Sequence, residues 1–248
     1  GEIYDIQPKT DIRWTYEEFI RRAKELNVDG VNLETCFLPS IEDDYISRLK
    51  KLLDDYNMER VLAWGHPDGL EAGRNKKAID DLRRHLRPTK TIGTNILRIV
   101  GSSLMFRDQP HEPQLKKLTR ILKKVAEEAE SYDIILAYEN HIDYTSDELV
   151  DLIEKVDSEN LRVNFDTGNT LRMFEDPVEA SKKLARYTIA THVKDISPIK
   201  YNKFYSTRGT PRDWFFWAAV PVGDGIIDIS SIAQTLKDSG YKGVLAVE

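Results

Sequence analysis

The sequence predicts a single α/β barrel of eight parallel strands with helices outside them, the (β/α)8 or TIM barrel. Two observations lead to this fold. Short apolar runs rich in β-branched residues alternate with amphipathic helical patterns along the whole 248-residue chain. Polar residues stand at the carboxyl ends of successive runs, where parallel α/β sheets place their ligand sites. An open doubly wound sheet is the alternative, but no glycine-rich phosphate loop follows the first clear strand.

Composition indicates one domain, residues 1–248, in a reducing compartment. No linker or low-complexity tract marks a boundary, and the net charge is −6 with both signs interspersed. This disfavours a nucleic-acid partner, which usually needs a basic stripe. Cys36 is the single cysteine, so an intrachain disulfide is excluded. No apolar run reaches the roughly 18 residues of a membrane span, and no signal-peptide pattern is visible; we expect a cytoplasmic protein without a membrane partner.

The first half of the chain gives four strand patterns and four helical patterns. The first strand pattern is poor. Thr15 and Glu18 predict a capping box at the start of the first helix. Pro113 lies near the first turn of the fourth helix, where proline is favoured. The predicted strands are 3–6, 30–34, 58–64 and 95–100, and the predicted helices are 15–26, 42–56, 76–90 and 113–131.

The second half gives four more strands and three helices, with one long loop. This loop, 196–225, carries an aromatic cluster and is the longest segment between elements. No helical pattern follows the eighth strand, so we expect a barrel without its final helix, either incomplete or trimmed from a longer protein. The predicted strands are 134–139, 161–165, 188–193 and 243–248, and the predicted helices are 145–156, 177–187 and 228–239.

Metal-type ligands stand at the ends of the fifth to eighth strands: Glu139, Asp166, His192 and Glu248. The carboxyl ends of barrel strands meet at one face, so these side chains should converge. Three carboxylates and one imidazole suit Mn²⁺ or Mg²⁺, with Co²⁺ or Zn²⁺ as alternatives. Without a cation the carboxylates would repel one another, and at least one would be protonated. We therefore expect one divalent ion; four unrelated strand-end residues are the alternative.

Five motifs resemble the sugar phosphate isomerase/epimerase family of xylose isomerase-like TIM barrels. That superfamily includes ketose 3-epimerases, inosose dehydratases and endonuclease IV. The motifs are Tyr138-Glu-Asn-His141, Asn164-Phe-Asp-Thr-Gly-Asn169, His192-Val-Lys-Asp195, Pro221-Val-Gly-Asp-Gly225 and Ala246-Val-Glu248. The resemblance extends from about residue 15 to the end of the chain. It implies that Glu139, Asp166, His192 and Glu248 hold one divalent metal, and that the two glutamates move a proton.

Chemistry independently favours a sugar isomerase or epimerase. Isomerising a sugar removes a proton from a carbon beside a carbonyl, and a Lewis acid stabilises the charge that develops on oxygen. One carboxylate takes the proton and another, on the opposite face, returns it. Glu139 and Glu248 end the predicted fifth and eighth strands, roughly across the barrel mouth. They are the predicted acid/base pair.

Six further residues are candidates for the site of a small sugar or sugar derivative. His141 is a candidate base, hydroxyl ligand or support for Glu139, and we leave these roles open. Lys194 follows His192 by two residues and so points to the same side of an extended chain. Asn169 stands where some members of the family have histidine. The remaining candidates for substrate contact are His66, Arg208 and Trp214.

Structural roles are the alternatives for these last three residues. His66 would belong to a His–Pro turn, and Arg208 would be a solvated surface arginine. Trp214 heads the aromatic run 214–217, which is a lid, a sugar-stacking wall or a subunit contact. The last of these would make the protein a homo-oligomer.

Three other functions compete with the isomerase. A metal-dependent lyase of the same fold, a dehydratase or a C-glycoside deglycosidase-like enzyme, would use His141 as base. An endonuclease IV-type repair enzyme needs three metals, but the fourth strand ends in Gly101-Ser-Ser and Asn169 replaces the required histidine. A non-catalytic sugar-binding barrel is disfavoured by two opposed glutamates in the predicted metal site.

Overall fold

Six parallel strands form the centre of the molecule. The computed structural model describes residues 14–200 and 215–248. Within these ranges the strands form one sheet in chain order, and each strand pairs in parallel with the next. They are β1 (Gly30–Glu34), β2 (Glu59–Ala63), β3 (Ile96–Ile99), β4 (Ile135–Glu139), β5 (Leu161–Asp166) and β6 (Thr188–His192). These are the second to seventh strands of the predicted barrel; the predicted first strand lies outside the described residues.

Helices follow the strands as predicted, and the first helix begins at the predicted capping box. The capping box of Thr15 and Glu18 is formed, and Thr145 with Glu148 forms a second one. The helices are α1 (Tyr16–Glu25), α2 (Asp43–Asp55), α3 (Lys76–Arg84), α4 (Leu86–Thr91), α5 (His111–Ser131), α6 (Ser146–Val156), α7 (Thr167–Arg172), α8 (Pro177–Leu184) and α9 (Ile229–Asp238). None of the helices in the described part of the chain is long and apolar enough to cross a membrane.

Two helices differ from the prediction. The predicted helix 76–90 is divided into α3 and α4 at His85, because Pro88 has no N–H to donate to the carbonyl of Arg84. Helix α7 was not predicted, because six residues are too few to show a helical period. It begins directly after Asp166, whose carboxylate caps it.

The core lies between the sheet and the helices. Trp64, Tyr138 and Phe165 are among its largest fully buried side chains. A separate small cluster of Val61, Ala137 and Ala190 comes from β2, β4 and β6. Alternate strands contribute one layer of side chains to the interior of a barrel, so this cluster indicates that the sheet is curled.

The long loop was predicted incorrectly, and the predicted eighth strand is reduced to a single bridge. Residues on both sides of 201–214 form an antiparallel hairpin, β7 (Asp195–Lys200) with β8 (Phe215–Val220). Aromatic and β-branched residues favour such pairing, and the long spacing concealed it. The segment 243–248 makes a single parallel bridge, Val193 with Val247, where a strand was predicted. Among the described strands it borders only β6, so it has one pairing edge.

Candidate metal centre

The four predicted metal ligands lie together at the carboxyl ends of the strands. One ligand atom from each of Glu139, Asp166, His192 and Glu248 lies within 4.8 Å of the others. The first three end β4, β5 and β6, and Asp166 pairs directly with His192. The fourth is placed by the bridge between Val193 and Val247, where the Glu248 amide donates to the Val193 carbonyl at 3.2 Å. That they bind a metal stays a prediction.

Asp166 presents one oxygen to the cluster and uses the other to cap α7. Its Oδ1 accepts hydrogen bonds from the backbone N–H groups of Gly168 and Asn169, both at 2.8 Å. Its Oδ2 lies 2.9 Å from Lys194 Nζ. The side chain is fully buried, and this burial, opposed by the Lys194 ammonium, raises the pKa of Asp166 to about 6.

Glu139 is held from several sides. Asn169 Nδ2 donates to its Oε1 at 3.1 Å. Its Oε2 lies 3.1 Å from Arg98 Nε and 3.3 Å from His192 Nδ1. Burial by itself would raise the pKa of Glu139, but the positive charges of Arg98 and His192 hold it well below its usual range.

His192 joins the two glutamates of the predicted acid/base pair. Its Nδ1 lies 2.9 Å from Glu248 Oε2, besides the contact to Glu139. Burial opposes protonation of the ring, but the two carboxylates raise the pKa of His192 above its ordinary value. Lys194 Nζ also lies 3.2 Å from Glu248 Oε2. Partial burial by itself would raise the pKa of Glu248, but the cationic groups of His192 and Lys194 beside its carboxylate lower it.

The cluster fits a divalent cation. Two of its buried atoms, Glu139 Oε2 and His192 Nδ1, lack a well-aligned hydrogen bond within the described residues, although they take part in ion-pair contacts. Buried polar atoms normally find hydrogen-bonding partners, because leaving them unpaired costs free energy. Coordination would satisfy both atoms. Three carboxylates with one imidazole are donors suited to Mn²⁺ or Mg²⁺.

Two charged residues of the site were missed by the sequence analysis. Arg98 on β3 is 2% exposed and contacts Glu34 Oε1, Glu139 Oε2 and the Trp64 carbonyl, the last at 3.3 Å. Burial raises the pKa of Glu34, which ends β1, and the Arg98 guanidinium opposes this rise. Both residues left a signal in the sequence. Arg98 interrupts an apolar strand, and Glu34 is another carboxylate at a strand end.

The other candidate residues that the structure describes fall into three groups. Asn169 and Lys194 contact the cluster directly, as described above. His141 lies beside it, with Nδ1 buried and without a hydrogen-bond partner among the described residues. Burial lowers the pKa of His141 to about 4, so its ring is neutral at pH 7. His66 stacks on Trp64 with ring centroids 5.6 Å apart.

Arg208 and Trp214 lie outside the described residues, and their substrate contacts stay predictions. His85 and His111 are engaged elsewhere, with the Asp81 carbonyl and the Glu148 carboxylate. Within residues 14–200 and 215–248 the cluster is the single group of three or more such residues that are close enough to share one metal ion.

A cavity of about 910 Å³ opens at the other end of the strands. Its lining includes Glu59 and Ile96, which begin β2 and β3. None of the four predicted metal ligands lines it. The ligand site of a parallel barrel lies at the carboxyl ends of its strands, which is the end where the four predicted metal ligands lie.

Comparison with known proteins identifies related sugar-modifying enzymes. The chain is 24% identical over 168 residues to 3-oxo-isoapionate decarboxylase of Pectobacterium atrosepticum, covering 68% of this chain and 56% of that protein. It is 30% identical over 146 residues to an inosose dehydratase of Clostridium perfringens, covering 56% of this chain and 48% of that protein. The chain therefore spans about half the length of these curated relatives.

Solved structures show the same fold. A xylose isomerase domain protein from Planctomyces limnophilus superposes with a TM-score of 0.75 at 20% identity, covering 92% of this chain and 84% of that one. D-psicose 3-epimerase from Clostridium cellulolyticum, solved with D-tagatose, gives 0.74 at 18% identity, covering 95% and 80%. A xylose isomerase-like barrel protein from Mycobacterium smegmatis, solved with magnesium, gives 0.72 at 18%, covering 94% and 81%.

A family model described as xylose isomerase-like TIM barrel matches residues 20–248. This match covers most of the chain and agrees with the curled parallel sheet. It confirms the predicted fold and the predicted family resemblance. The chain belongs to the xylose isomerase-like TIM barrel family.

Proposed function

We propose that the protein is a divalent-metal-dependent enzyme that isomerises or epimerises a small sugar or sugar derivative. One observation carries this proposal: Glu139 and Glu248, from β4 and the segment after α9, both approach His192 Nδ1, at 3.3 and 2.9 Å. Two carboxylates thus approach one point, one from the sheet and one from the segment after α9. A substrate bound between them would have one candidate base on each side, as proton removal and return require.

The four clustered residues would hold the ion, and Mn²⁺ or Mg²⁺ suits their oxygen-rich donor set. Co²⁺ and Zn²⁺ are alternatives. When bound, the ion supplies Lewis-acid stabilisation of negative charge on a substrate oxygen. A structural neighbour solved with magnesium supports a hard cation in this fold.

The two glutamates are placed differently for proton transfer. Glu139 is 4% exposed and is fixed by Arg98 and Asn169, whereas Glu248 is bordered by His192 and Lys194. Glu139 therefore keeps a fixed orientation towards a substrate carbon beside a carbonyl. Glu248 takes up or returns the proton on the other side. His66, Asn169 and Lys194, together with Arg208 and Trp214 of the loop, are the proposed substrate contacts.

A lyase is the second candidate, favoured by His141. Its Nδ1 is buried without a hydrogen-bond partner among the described residues, and burial keeps the ring neutral. A neutral ring can remove a proton from a carbon beside a carbonyl; the electron pair then forms a C=C bond as the hydroxyl on the next carbon leaves. A dehydratase and a decarboxylase among the curated relatives support this alternative. A C-glycoside deglycosidase-like elimination would use the same first step.

The proposed enzyme is a cytoplasmic homo-oligomer. A single cysteine supports the cytoplasm as its compartment. The aromatic run 214–217 supports a homo-oligomer, a prediction that size-exclusion chromatography with light scattering would test.

The test of the proposed function is metal content together with proton exchange. Elemental analysis should find one divalent ion per chain. Reaction in D₂O with ketoses, keto-glycosides and inososes should place deuterium beside the carbonyl for an isomerase, whereas loss of water indicates the lyase. Protein with no bound metal and no exchange on any of these substrates would refute both enzymes and leave the sugar-binding barrel.

A further inference from the structure

We propose that Glu34 is a substrate-binding residue that accepts a hydrogen bond from a sugar hydroxyl and so selects uncharged polyhydroxy ketones. This inference rests on the proposed function and names the substrate class of the same site. Glu34 ends β1, and the strand register places it beside Ala63, which lies beside Arg98. The carboxyl end of β1 therefore belongs to the face of the barrel where the metal cluster lies.

Arg98 connects Glu34 to the reacting centre. Its guanidinium contacts Glu34 Oε1 on one side and Glu139 Oε2, at 3.1 Å, on the other. A guanidinium is planar and rigid, so the two carboxylates are held about one guanidinium width apart. A sugar bound beside Glu139 would thus have its neighbouring carbons and hydroxyls within reach of Glu34.

The second oxygen of Glu34 is available as an acceptor. Glu34 Oε2 is buried and has no hydrogen-bond partner among the described residues. The side chain as a whole is 24% exposed, although this oxygen itself is covered. A buried charged acceptor without a partner is costly, and a hydroxyl donor from a ligand would satisfy it.

Gly65 keeps the space beside this oxygen open. A Cβ on Gly65 would lie 3.0 Å from Glu34 Oε2 and 2.9 Å from Cys36 Sγ. The Gly65 amide is held by Thr35 Oγ1 at 3.0 Å, which fixes the end of β1 against the loop after β2. The next residue, His66, stacks on Trp64 and borders the same region.

The charges around Glu34 favour a substrate that is uncharged where it contacts this residue. The Arg98 charge is shared between Glu34 and Glu139, and the Lys194 charge between Asp166 and Glu248. An ionised Glu34 oxygen would repel a phosphate or carboxylate, whereas it attracts the O–H dipole of a hydroxyl. Sites that hydrogen-bond a substrate hydroxyl also discriminate strongly against analogues that lack it.

The test compares wild type, Glu34→Gln and the control Glu59→Gln. The glutamine amide oxygen can keep the Arg98 contact, which leaves an NH₂ group in place of Oε2. Glu59 lies at the opposite end of the strands and is exposed, so its variant controls for loss of one negative charge. Each protein is assayed with Mn²⁺ on an inosose, D-tagatose, D-fructose, their deoxy analogues and fructose 6-phosphate, and Mn²⁺ binding alone is measured by calorimetry.

We expect Glu34→Gln to raise KM for the best uncharged substrate by roughly 10-fold or more, the strength of a hydrogen bond to a charged group. The turnover number and the Kd for Mn²⁺ should change by less than about threefold, a change too small to reflect loss of such a bond. The deoxy analogue that lacks the hydroxyl bound by Glu34 should bind weakly to wild type. Its affinity should not fall further in Glu34→Gln, because the hydrogen bond is already absent.

Three results would overturn the assignment. In the first, KM stays constant while turnover or Mn²⁺ affinity falls, which would make Glu34 only a support for Arg98. In the second, Glu59→Gln raises KM equally. In the third, wild type prefers fructose 6-phosphate to every uncharged ketone. Failure of the proposed function is a separate result, because wild type would then take up no Mn²⁺ at all.

Discussion

Asn140 and Asp166 hold each other through two hydrogen bonds. Asn140 Nδ2 donates to the Asp166 carbonyl at 2.8 Å, and the Asp166 amide donates to Asn140 Oδ1 at 2.7 Å. Asn140 directly follows Glu139, so this pair fixes two predicted metal ligands on neighbouring strands relative to each other. Such supporting contacts typically change metal affinity by roughly 10–100-fold when they are removed.

Asn140→Ala should therefore weaken Mn²⁺ binding by about that factor and lower stability by about 1–3 kcal/mol, because buried backbone groups lose their partners. Calorimetric titration and thermal unfolding measure the two effects. Asn160→Ala is the matched control, since Asn160 Nδ2 makes one similar bond, to the Ile134 carbonyl at 2.8 Å, at the other end of the same strands. Equal loss of Mn²⁺ affinity in both variants would contradict the assigned role.

Asp166→Ala should abolish the rise in melting temperature that Mn²⁺ produces in wild type. A ligand that binds only the folded protein stabilises it, and this variant loses a predicted ligand together with the cap of α7. Asp176→Ala separates the two effects, because Asp176 caps α8 by accepting from the Val178 and Glu179 amides at 2.8 and 3.0 Å. It should lose about 1 kcal/mol of stability and keep the full Mn²⁺ effect. Full metal content in Asp166→Ala would refute the ligand assignment.

Glutamine variants test the proton-transfer pair. Glu139→Gln and Glu248→Gln keep the side-chain shape and one carbonyl oxygen but cannot take a proton. Each should lose turnover by roughly 10²–10⁴-fold, the usual contribution of a general base, while retaining some metal. Steady-state rates and elemental analysis provide the measurements. Near-normal turnover in both variants, with an inactive His141→Ala, would favour the lyase.

Metal affinity should rise with pH. Asp166, whose burial raises its pKa to about 6, and His192, whose pKa the two glutamates raise, must both lose a proton to coordinate an ion. Affinity for Mn²⁺ should increase about tenfold per pH unit for each proton that binding releases. Below about pH 6 both Asp166 and His192 release a proton, whereas above it only His192 does, so the increase should be steeper below pH 6. Calorimetry at pH 5.5, 6.5 and 7.5 should show this change of slope. A Kd independent of pH would contradict the protonation assigned to the site.

In the protein without metal, the contribution of Asp166 and His192 to the free energy of unfolding should fall with rising pH, whereas metal affinity rises. A group whose pKa is raised by folding contributes stability below its ordinary pKa and loses it as pH rises through the folded value. In EDTA the contribution of Asp166 should therefore fall between about pH 4 and pH 6. Asp166→Asn should remove this part of the pH dependence in denaturant unfolding. An unchanged profile would place the titration elsewhere.

The loop 196–225 should control substrate choice. It follows His192, carries Arg208 and Trp214, and contains most of β7 and all of β8. Long segments at this face of a barrel commonly carry binding residues. Arg208→Ala and Trp214→Ala should raise KM more than they lower turnover. Unchanged KM values for the physiological substrate would make the loop structural only.

The local pattern of the sequence determined most elements and the four predicted ligands. Strand β1 has the predicted bounds, and Thr15 and Thr145 cap helices where the prediction placed them. The reason is that periodicity, capping and strand ends depend on residues a few positions apart. A polar residue after a buried strand is visible in the sequence, and parallel strands bring such residues to one face.

Only the tertiary structure decided which groups contact one another and how the pKa of each group is shifted. The sequence contains Glu34 and Arg98, but their ion pair joins residues 64 positions apart across three strands. The sequence also contains the residues of the hairpin and of α7. The hairpin forms because β7 and β8 pair with each other, and α7 begins where the Asp166 carboxylate caps it. Burial and neighbouring charge set the pKa values of Asp166 and His192. Both depend on the position of each group in the folded chain, because solvation and Coulomb energy are functions of three-dimensional distance.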